Sequence, residues 1–167
     1  MTALTTAVLL FSALALVAGT PPVDKTASGL DQLKQLVGTW KGTDPQGKPV
    51  TVSYKLVSGE TTLMETLDMG DKKESMITVY HLDDKDVMMT HYCSMGNQPR
   101  MRLSRDSKDS NTFVFNFVDA TNLKSKTDPH MNKLILMMKD HDHFMQEWFM
   151  ASGDKESPSR FTFERVK

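Results

Sequence analysis

Cysteine is nearly absent from this chain, since Cys93 is the single cysteine among 167 residues. One cysteine cannot form a disulfide within the chain, so the protein must fold on packing alone. At this length, one domain with a single hydrophobic core is expected. The composition therefore excludes a small scaffold held together by disulfides.

An excess of charge of either sign is also absent. The chain has 20 basic and 21 acidic residues, which gives a net charge of -1. Because no basic stripe is present, the electrostatic attraction that drives nucleic-acid binding is missing. The sequence therefore predicts no nucleic-acid partner.

Motifs of the common hydrolases are missing as well: neither G-x-S-x-G nor H-E-x-x-H occurs. Cys93 would need a thiolate, a base such as His91 and an oxyanion site to act as a nucleophile. His141 and His143 could converge on a metal ion, but a solvated turn explains the same residues. We expect a buried, unreactive thiol, no metal site and no catalysis.

The beginning of the chain lacks charge, and its first charged side chain is Asp24. Residues 7–19 form an apolar run that ends in small residues and is too short to span a bilayer comfortably. This pattern predicts a signal peptide at 1–19 and a linker at 20–28. A secreted or periplasmic protein without stable membrane insertion is expected, and an uncleaved membrane anchor is the alternative.

A short helical pattern follows the predicted linker. Leu30, Leu33 and Leu36 recur at helical spacing, Ser28 stands in an N-cap position, and Gly38 follows the last turn. We therefore predict a helix of two to three turns before the first strand.

No helical period continues after Trp40, and turn residues punctuate the chain every eight to twelve residues or so. An all-β domain over 29–167 is predicted, an up-and-down antiparallel barrel of about ten strands with a short N-terminal helix. A two-sheet sandwich would use similar strands. The predicted strands are 39–44, 49–57, 61–69, 74–81, 86–93, 99–105, 111–118, 131–138, 143–150 and 160–166.

The two ends of this domain carry complementary residues. Gly38-Thr39-Trp40 opens the first strand, and Arg165 lies in the last one. We expect Trp40 to close one end of the barrel and the Arg165 guanidinium to lie across its ring as a cation–π contact.

On the strength of these end residues, the chain resembles the calycin superfamily of lipocalin-like and fatty-acid-binding-like barrels over 29–167. The resemblance implies a non-catalytic protein that binds a small apolar or amphipathic molecule. Residues 33–42 also resemble the start of nitrobindin-type haem barrels, which are expected to carry a histidine ligand in the last strand. Here 157–165 contains no histidine. The remaining candidate haem ligands are His91, His130, His143, Cys93 and Tyr92.

Methionine is unusually frequent, with 13 residues that include the pairs Met88-Met89 and Met137-Met138. The thioether side chain is flexible and polarizable, so methionines adapt to varied apolar ligands, but they also fill cores. The sequence leaves both roles open.

The segment 90–102 concentrates polar chemistry in one predicted hairpin. Arg100 and Arg102 share a strand face, and His91 lies on the preceding strand. If His91 faces inward, we expect it to join Tyr80 and one arginine in a patch that binds the polar end of an amphipathic ligand. A structural histidine and a solvated arginine face are the alternatives, and alternation does not decide which face is inside.

The connection 119–129 interrupts the regular spacing of the strands, and long loops in compact domains are often functional. We expect Asp119 to meet Arg100 or Arg102 at the barrel mouth, and Asn116 to contribute to the ligand site. The leading hypothesis is an exported barrel that holds a small amphipathic or apolar molecule. The alternatives are a haem or tetrapyrrole barrel, and an envelope protein-binding barrel with a filled interior.

Overall fold

The computed structural model describes residues 29–70, 75–104 and 110–167. The predicted signal peptide and linker lie outside these ranges. The described elements are α1 Gly29–Leu33, a 3-10 turn Lys34–Leu36, β1 Gly38–Thr43, β2 Pro49–Val57, β3 Thr62–Asp68, β4 Met76–Asp83, β5 Asp86–Tyr92, β6 Gln98–Leu103, β7 Thr112–Thr121, β8 His130–Met138, β9 His143–Ser152 and β10 Lys155–Arg165.

The strands form one closed antiparallel barrel in which each strand pairs with its neighbours in sequence. The ring is completed by β1 and β10, where Trp40 pairs with Arg165 and Thr43 with Thr162. Closure leaves no sheet edge along these paired segments. The predicted fold class, an up-and-down barrel of ten strands with a short N-terminal helix, is confirmed.

The antiparallel order gives the barrel two distinct ends. We call the lower end the one that carries α1 and the ends of β2, β4, β6 and β8, with the connections 58–61, 84–85 and 139–142. The upper end carries the ends of β1, β3, β5, β7 and β9, with the connections 44–48, 93–97, 122–129 and 153–154. The longest strands, β7, β9 and β10, all reach the upper end, so the wall is tallest on that side.

The lower end is closed by the predicted pair of residues. Trp40 is fully buried, and its Nε1 donates to the Leu36 carbonyl at 2.8 Å. The Arg165 guanidinium lies 3.9 Å from the Trp40 ring centroid and donates to the carbonyls of Gln35 and Val37. The expected cation–π closure is therefore confirmed.

The N-terminal helix completes this closure. Leu30, Leu33 and Leu36 are all buried in the core, as their spacing predicted. Gly38 then turns the chain into β1 with φ 132°, and a Cβ there would lie 3.1 Å from Arg165 Nη1. Among the described residues, no helix has the length and apolarity needed to cross a bilayer.

The largest extensions beyond the predicted strand limits are in β10 and β7. β10 begins at Lys155 and passes through Pro158, which has no N–H to donate. Pro158 pairs with Phe149 of β9. It has no partner in β1, because the pairing of β10 with β1 begins only at Thr162. A proline is tolerated where a strand has lost one neighbour. β7 continues to Thr121 because its last residues pair with β6.

Candidate ligand-binding site

A row of polar side chains crosses the interior of the barrel. Tyr54 pairs with Glu65, Glu65 with Thr78, and Thr78 with His91 on the adjacent strands β2 to β5. Each of the four is at most 2% exposed. We call Tyr54, Glu65, Thr78 and His91 the polar row.

The strand period places this row inside. Side chains alternate between the two faces of a strand, and the residues two positions from Glu65, Leu63 and Leu67, are both buried. Contact across the lumen supports the same orientation, because the His91 ring lies 4.5 Å from the ring of Trp148 on β9. These strands are not neighbours in the barrel.

Hydrogen bonds connect the row to the opposite wall. Tyr80 Oη donates to Glu65 Oε2 at 2.7 Å, and Gln146 Nε2 donates to Tyr54 Oη at 2.6 Å. Trp148 Nε1 donates to Gln146 Oε1 at 3.2 Å. Buried polar groups are costly unless they are paired in this way. The network therefore holds Glu65 in a fixed place.

Burial shifts the protonation of the carboxyl group and of both phenols. It raises the pKa of Glu65, although hydrogen bonds from Tyr80, Gln146 and Tyr54 oppose the shift. Burial, together with the nearby carboxylate, raises the pKa values of Tyr54 and Tyr80 well above the usual range. None of the buried side chains in the described part of the chain is Lys or Arg. The interior thus favours neutral groups.

His91 is the member of the row with unused hydrogen-bonding capacity. Its Nδ1 lies 3.0 Å from Thr78 Oγ1, whereas its Nε2 is buried and has no partner. Burial lowers the pKa of His91 to about 4, so the imidazole is neutral near pH 7. An unsatisfied buried polar atom costs about 1–3 kcal/mol. Nε2 can therefore gain from a ligand that offers it a hydrogen bond.

The structure separates the residues that the sequence grouped into one anchor. Tyr80 and His91 face the interior, as the hypothesis required. Arg100 and Arg102 lie on the outer face, because Met101 between them is fully buried and strand neighbours point to opposite sides. The structure therefore has the solvated arginine face that was the alternative, and the polar residues on the strands beside His91 are Thr78 and, one strand further, Glu65.

The outward arginines have carboxylate partners on the surface. Arg100 forms a two-pronged ion pair with Asp119, with Nε 2.6 Å from Oδ1. Arg102 bridges Asp83 and Asp86, each at 2.8 Å. The expected contact of Asp119 with an arginine is therefore present, but it lies outside the lumen. The Arg100 guanidinium holds the pKa of Asp119 below its usual range.

Asn116 also lies outside the lumen. It is exposed, and in the strand register it stands opposite Arg102 on one side and Lys133 on the other. Its inward neighbour Phe115 is fully buried against Tyr80. The predicted role of Asn116 in the lumen is thus corrected by its place on the outer face.

Sequence reasoning missed Glu65, Tyr54 and Gln146. In Leu63-Met64-Glu65-Thr66-Leu67, the acid stands in step with two leucines that are both buried. An acidic residue on the apolar face of a strand is unusual enough to have been a signal. Gln146, between Phe144 and Trp148, carries the same signal.

The cysteine and the histidines of the lower turn lie outside the polar row. Burial raises the pKa of the Cys93 thiol, which makes the thiolate scarce. His141 and His143 are exposed in the lower turn, where their Nδ1 atoms contact Asp142 and Asp140. Among the described residues, no group of three or more His, Cys, Asp and Glu side chains could hold a metal ion.

Several methionines belong to the core or pack against it. Met89 and Met101 are fully buried. Met69, Met76 and Met131 are only partly buried and pack against the core from the upper end, and Met138 does so from the lower end. Flexible thioether side chains therefore form part of the packing at the upper end.

The comparisons with known proteins add little to this geometry. No protein-family model matches the chain, and no curated protein matches it. Among solved structures, the chain is similar to a redesigned β-barrel over 84% of its own length and 100% of the other chain. That similarity has 13% identity and a TM-score of 0.37, which is too weak to carry an argument.

Proposed function

We propose that this chain is an exported, calycin-like barrel that binds a small amphipathic molecule without catalysis. The observation that carries the proposal is the buried His91 Nε2 without a partner, held within a polar row. If the interior served stability alone, an apolar side chain in place of His91 would stabilise the fold, because a buried polar atom without a partner is costly. The uncharged apolar run 7–19 supports export.

The polar end of this ligand is uncharged. No buried Lys or Arg is described that could neutralise an anion, and the raised pKa of Glu65 already reflects an interior unfavourable to carboxylates. A neutral imidazole can either donate to or accept from a neutral group through Nε2. A hydroxyl or carbonyl head group, as in a long-chain alcohol or ester, is uncharged and can form a hydrogen bond with Nε2.

The apolar part of the ligand points to the upper end. Trp40 and Arg165 close the lower end, whereas Met69, Met76 and Met131 pack against the core from the upper end. Less than 1 Å² of Nε2 is accessible, so a ligand must displace side chains to reach it. Methionines change rotamers at little cost, which makes them the side chains most easily displaced.

A haem would require much more rearrangement than an aliphatic head group. Its macrocycle needs a wide slot beside the ligating atom, and contacts between opposite walls occupy this region. Tyr54 contacts Gln146, Tyr80 contacts Phe115, and the His91 ring contacts Trp148. We therefore favour the small amphiphile over a tetrapyrrole.

The first test is native mass spectrometry of the full chain purified from its own cells, compared with a solvent-extracted sample. A bound mass with an uncharged polar group, lost in His91→Phe, is the expected result. A Soret band that disappears in His91→Phe would overturn the proposal in favour of haem. A bare protein mass, together with no uptake from a cell extract, would favour the barrel with a filled interior.

A titration then tests the anchor directly. Dodecanol is added to extracted protein, and the imidazole nitrogens are followed by NMR. We expect the Nε2 signal of His91 to shift, and affinity to fall about fivefold to tenfold in His91→Phe, as for one lost hydrogen bond. His91→Gln should restore part of it. His143→Phe, at the exposed lower turn, is the control, and an equal loss there would contradict the anchor.

A further inference from the structure

The barrel wall splits near its upper end between β7 and β8. The two strands pair from Thr112–Met137 to Asn116–Lys133 and no further. Above that point, Phe117 and residues 119–121 pair only with β6, Val118 is the extra residue at a register shift, and His130 and Met131 pair only with β9. Register shifts accompany the split on both sides, at Arg100/Met101 and at Met131/Lys133. Bulges of this kind bend strands apart and recur beside functional sites.

A groove of about 600 Å³ lies at this split. Its apolar lining consists of Phe117, Val118, Ala120 and Leu123. Phe117 and Val118 are 37% and 47% exposed, which is high for large apolar side chains. His130 packs at the bottom, with its ring 4.7 Å from that of Phe117. The volume falls within the usual range for small-molecule sites.

The loop that forms the outer side of the groove is fixed in place. Asn97 Nδ2 donates to the Pro129 carbonyl at 2.9 Å, and Thr121 Oγ1 donates to Gln98 Oε1 at 2.7 Å. Asp128 accepts from the backbone N–H groups of Lys124 and Ser125. The groove is therefore built by the fold and needs no partner to hold it open.

The charge at the groove is positive. Lys124, Lys126 and Asp119 are the charged residues that line it. Asp119 is neutralised by Arg100, and the nearby Asp128 is used by the loop backbone. Lys124 also interacts with Asp128, since its charge contributes to holding the pKa of that carboxyl below its usual range, after the backbone N–H of Lys124 and the hydrogen bonds of Ser125. The groove therefore combines an apolar lining with two lysines and one carboxylate that is already paired.

We propose that this groove is a second binding site, for single-chain amphipathic anions such as alkyl carboxylates or alkyl sulfates. The alkyl chain lies on Phe117, Val118 and Leu123, and the anionic head contacts Lys124 and Lys126. This site differs from the interior one in ligand class, because the lumen favours an uncharged head group. It also stands without the interior site, since none of its lining residues belongs to the polar row.

The test compares three probes with the same chain length: dodecanoate, dodecanol and dodecyltrimethylammonium, each below its micelle concentration. Calorimetry gives the affinity, and NMR identifies the perturbed residues. We expect dodecanoate to perturb Val118 and Leu123 and the cationic probe to leave them unchanged. Lys124→Glu with Lys126→Glu should weaken dodecanoate about tenfold, since two ion pairs become repulsions. Added salt should weaken it too.

The matched control is Lys55→Glu with Lys85→Glu, an exposed lysine of β2 and an exposed lysine in the lower connection between β4 and β5. An equal loss of dodecanoate binding in the control would overturn the groove site, as would equal perturbation of Val118 by dodecanoate and the cationic probe. His91→Phe separates the two proposals. It should weaken dodecanol and leave dodecanoate unchanged, so either site can fail while the other survives.

Discussion

The two ends of the barrel are built on opposite principles. At the lower end, an apolar helix, a buried Trp40 and a capping Arg165 close the lumen, and the described hydrogen-bonding groups of both side chains are used. At the upper end, the wall splits between β7 and β8, three partly buried methionines pack against the core, and His91 Nε2 has no partner. The hydrogen-bonding groups that close the lower end are paired, whereas the upper end keeps an unpaired one.

This difference indicates how stability and binding divide within one small domain. Closely packed aromatic rings and paired donors stabilise a fold, but they leave nothing for a ligand to gain. Unpaired polar atoms and exposed apolar side chains cost stability and provide binding energy. We therefore expect substitutions at the lower end to change stability, and substitutions at the upper end to change binding.

The largest effect is expected for Trp40→Ala. The ring is 1% exposed, packs edge-on against Phe144 and lies beneath Arg165, so its loss should reduce the free energy of unfolding by about 3–5 kcal/mol. Phe117→Ala, at the exposed split, should cost at most about 1.5 kcal/mol. Denaturant unfolding of both variants measures the difference. Similar losses would show that the two ends contribute equally to stability.

A change of similar size should appear with pH at His91. Its pKa is about 4 in the fold against 6.5 in the unfolded chain, so between these values the unfolded state binds a proton that the folded state does not. Stability should therefore fall as the pH drops from 6.5 to 4, by about 3 kcal/mol at most.

His91→Gln isolates the contribution of His91 to the pH dependence of stability. Glutamine does not titrate, and all other titratable groups of the chain are kept. Unfolding free energies measured from pH 7 to pH 4 should fall less steeply in this variant than in the parent chain. Parallel pH profiles would show that His91 is not buried as a neutral imidazole.

The smallest of these effects is expected for Arg165→Lys. Lysine keeps the charge near the Trp40 ring but lacks the planar fork that donates to Gln35, Val37 and His141. The expected loss is about 1–2 kcal/mol, with unchanged binding of dodecanol and dodecanoate. A loss of ligand binding at unchanged stability would contradict the division between the two ends.

Much of the fold could be predicted from local sequence. The alternation in β2 and the turn residues between strands each depend on neighbouring residues, which the chain order displays. The Trp40 and Arg165 closure was predicted from the residues at the two ends of the domain. The limits of β7 and β10 were harder to predict. Their extensions depend on pairing with only one neighbour, which local sequence does not display.

The candidate site was only half predictable. Tyr80 and His91 were recognised, but the sequence left open whether Arg100 and Arg102 face the lumen, and the structure places them on the outer face. Alternation fixes which residues share a face and leaves open which face is inside, and Val87-Met88-Met89 is apolar on both. Only the cross-lumen contact of His91 with Trp148 decides this for β5.

By itself, the sequence determined the approximate number of strands and their order, because these follow from patterns between near neighbours. The residues that close the lower end, Trp40 and Arg165, were predicted from their positions in the first and last strands. The tertiary structure alone decided which polar residues meet. The residues of the polar row are far apart in the chain, from Tyr54 to His91. They form one row only when four strands pair in register. Register is a property of the closed sheet, and the burial that shifts the pKa values of Glu65 and His91 exists only once the barrel has closed.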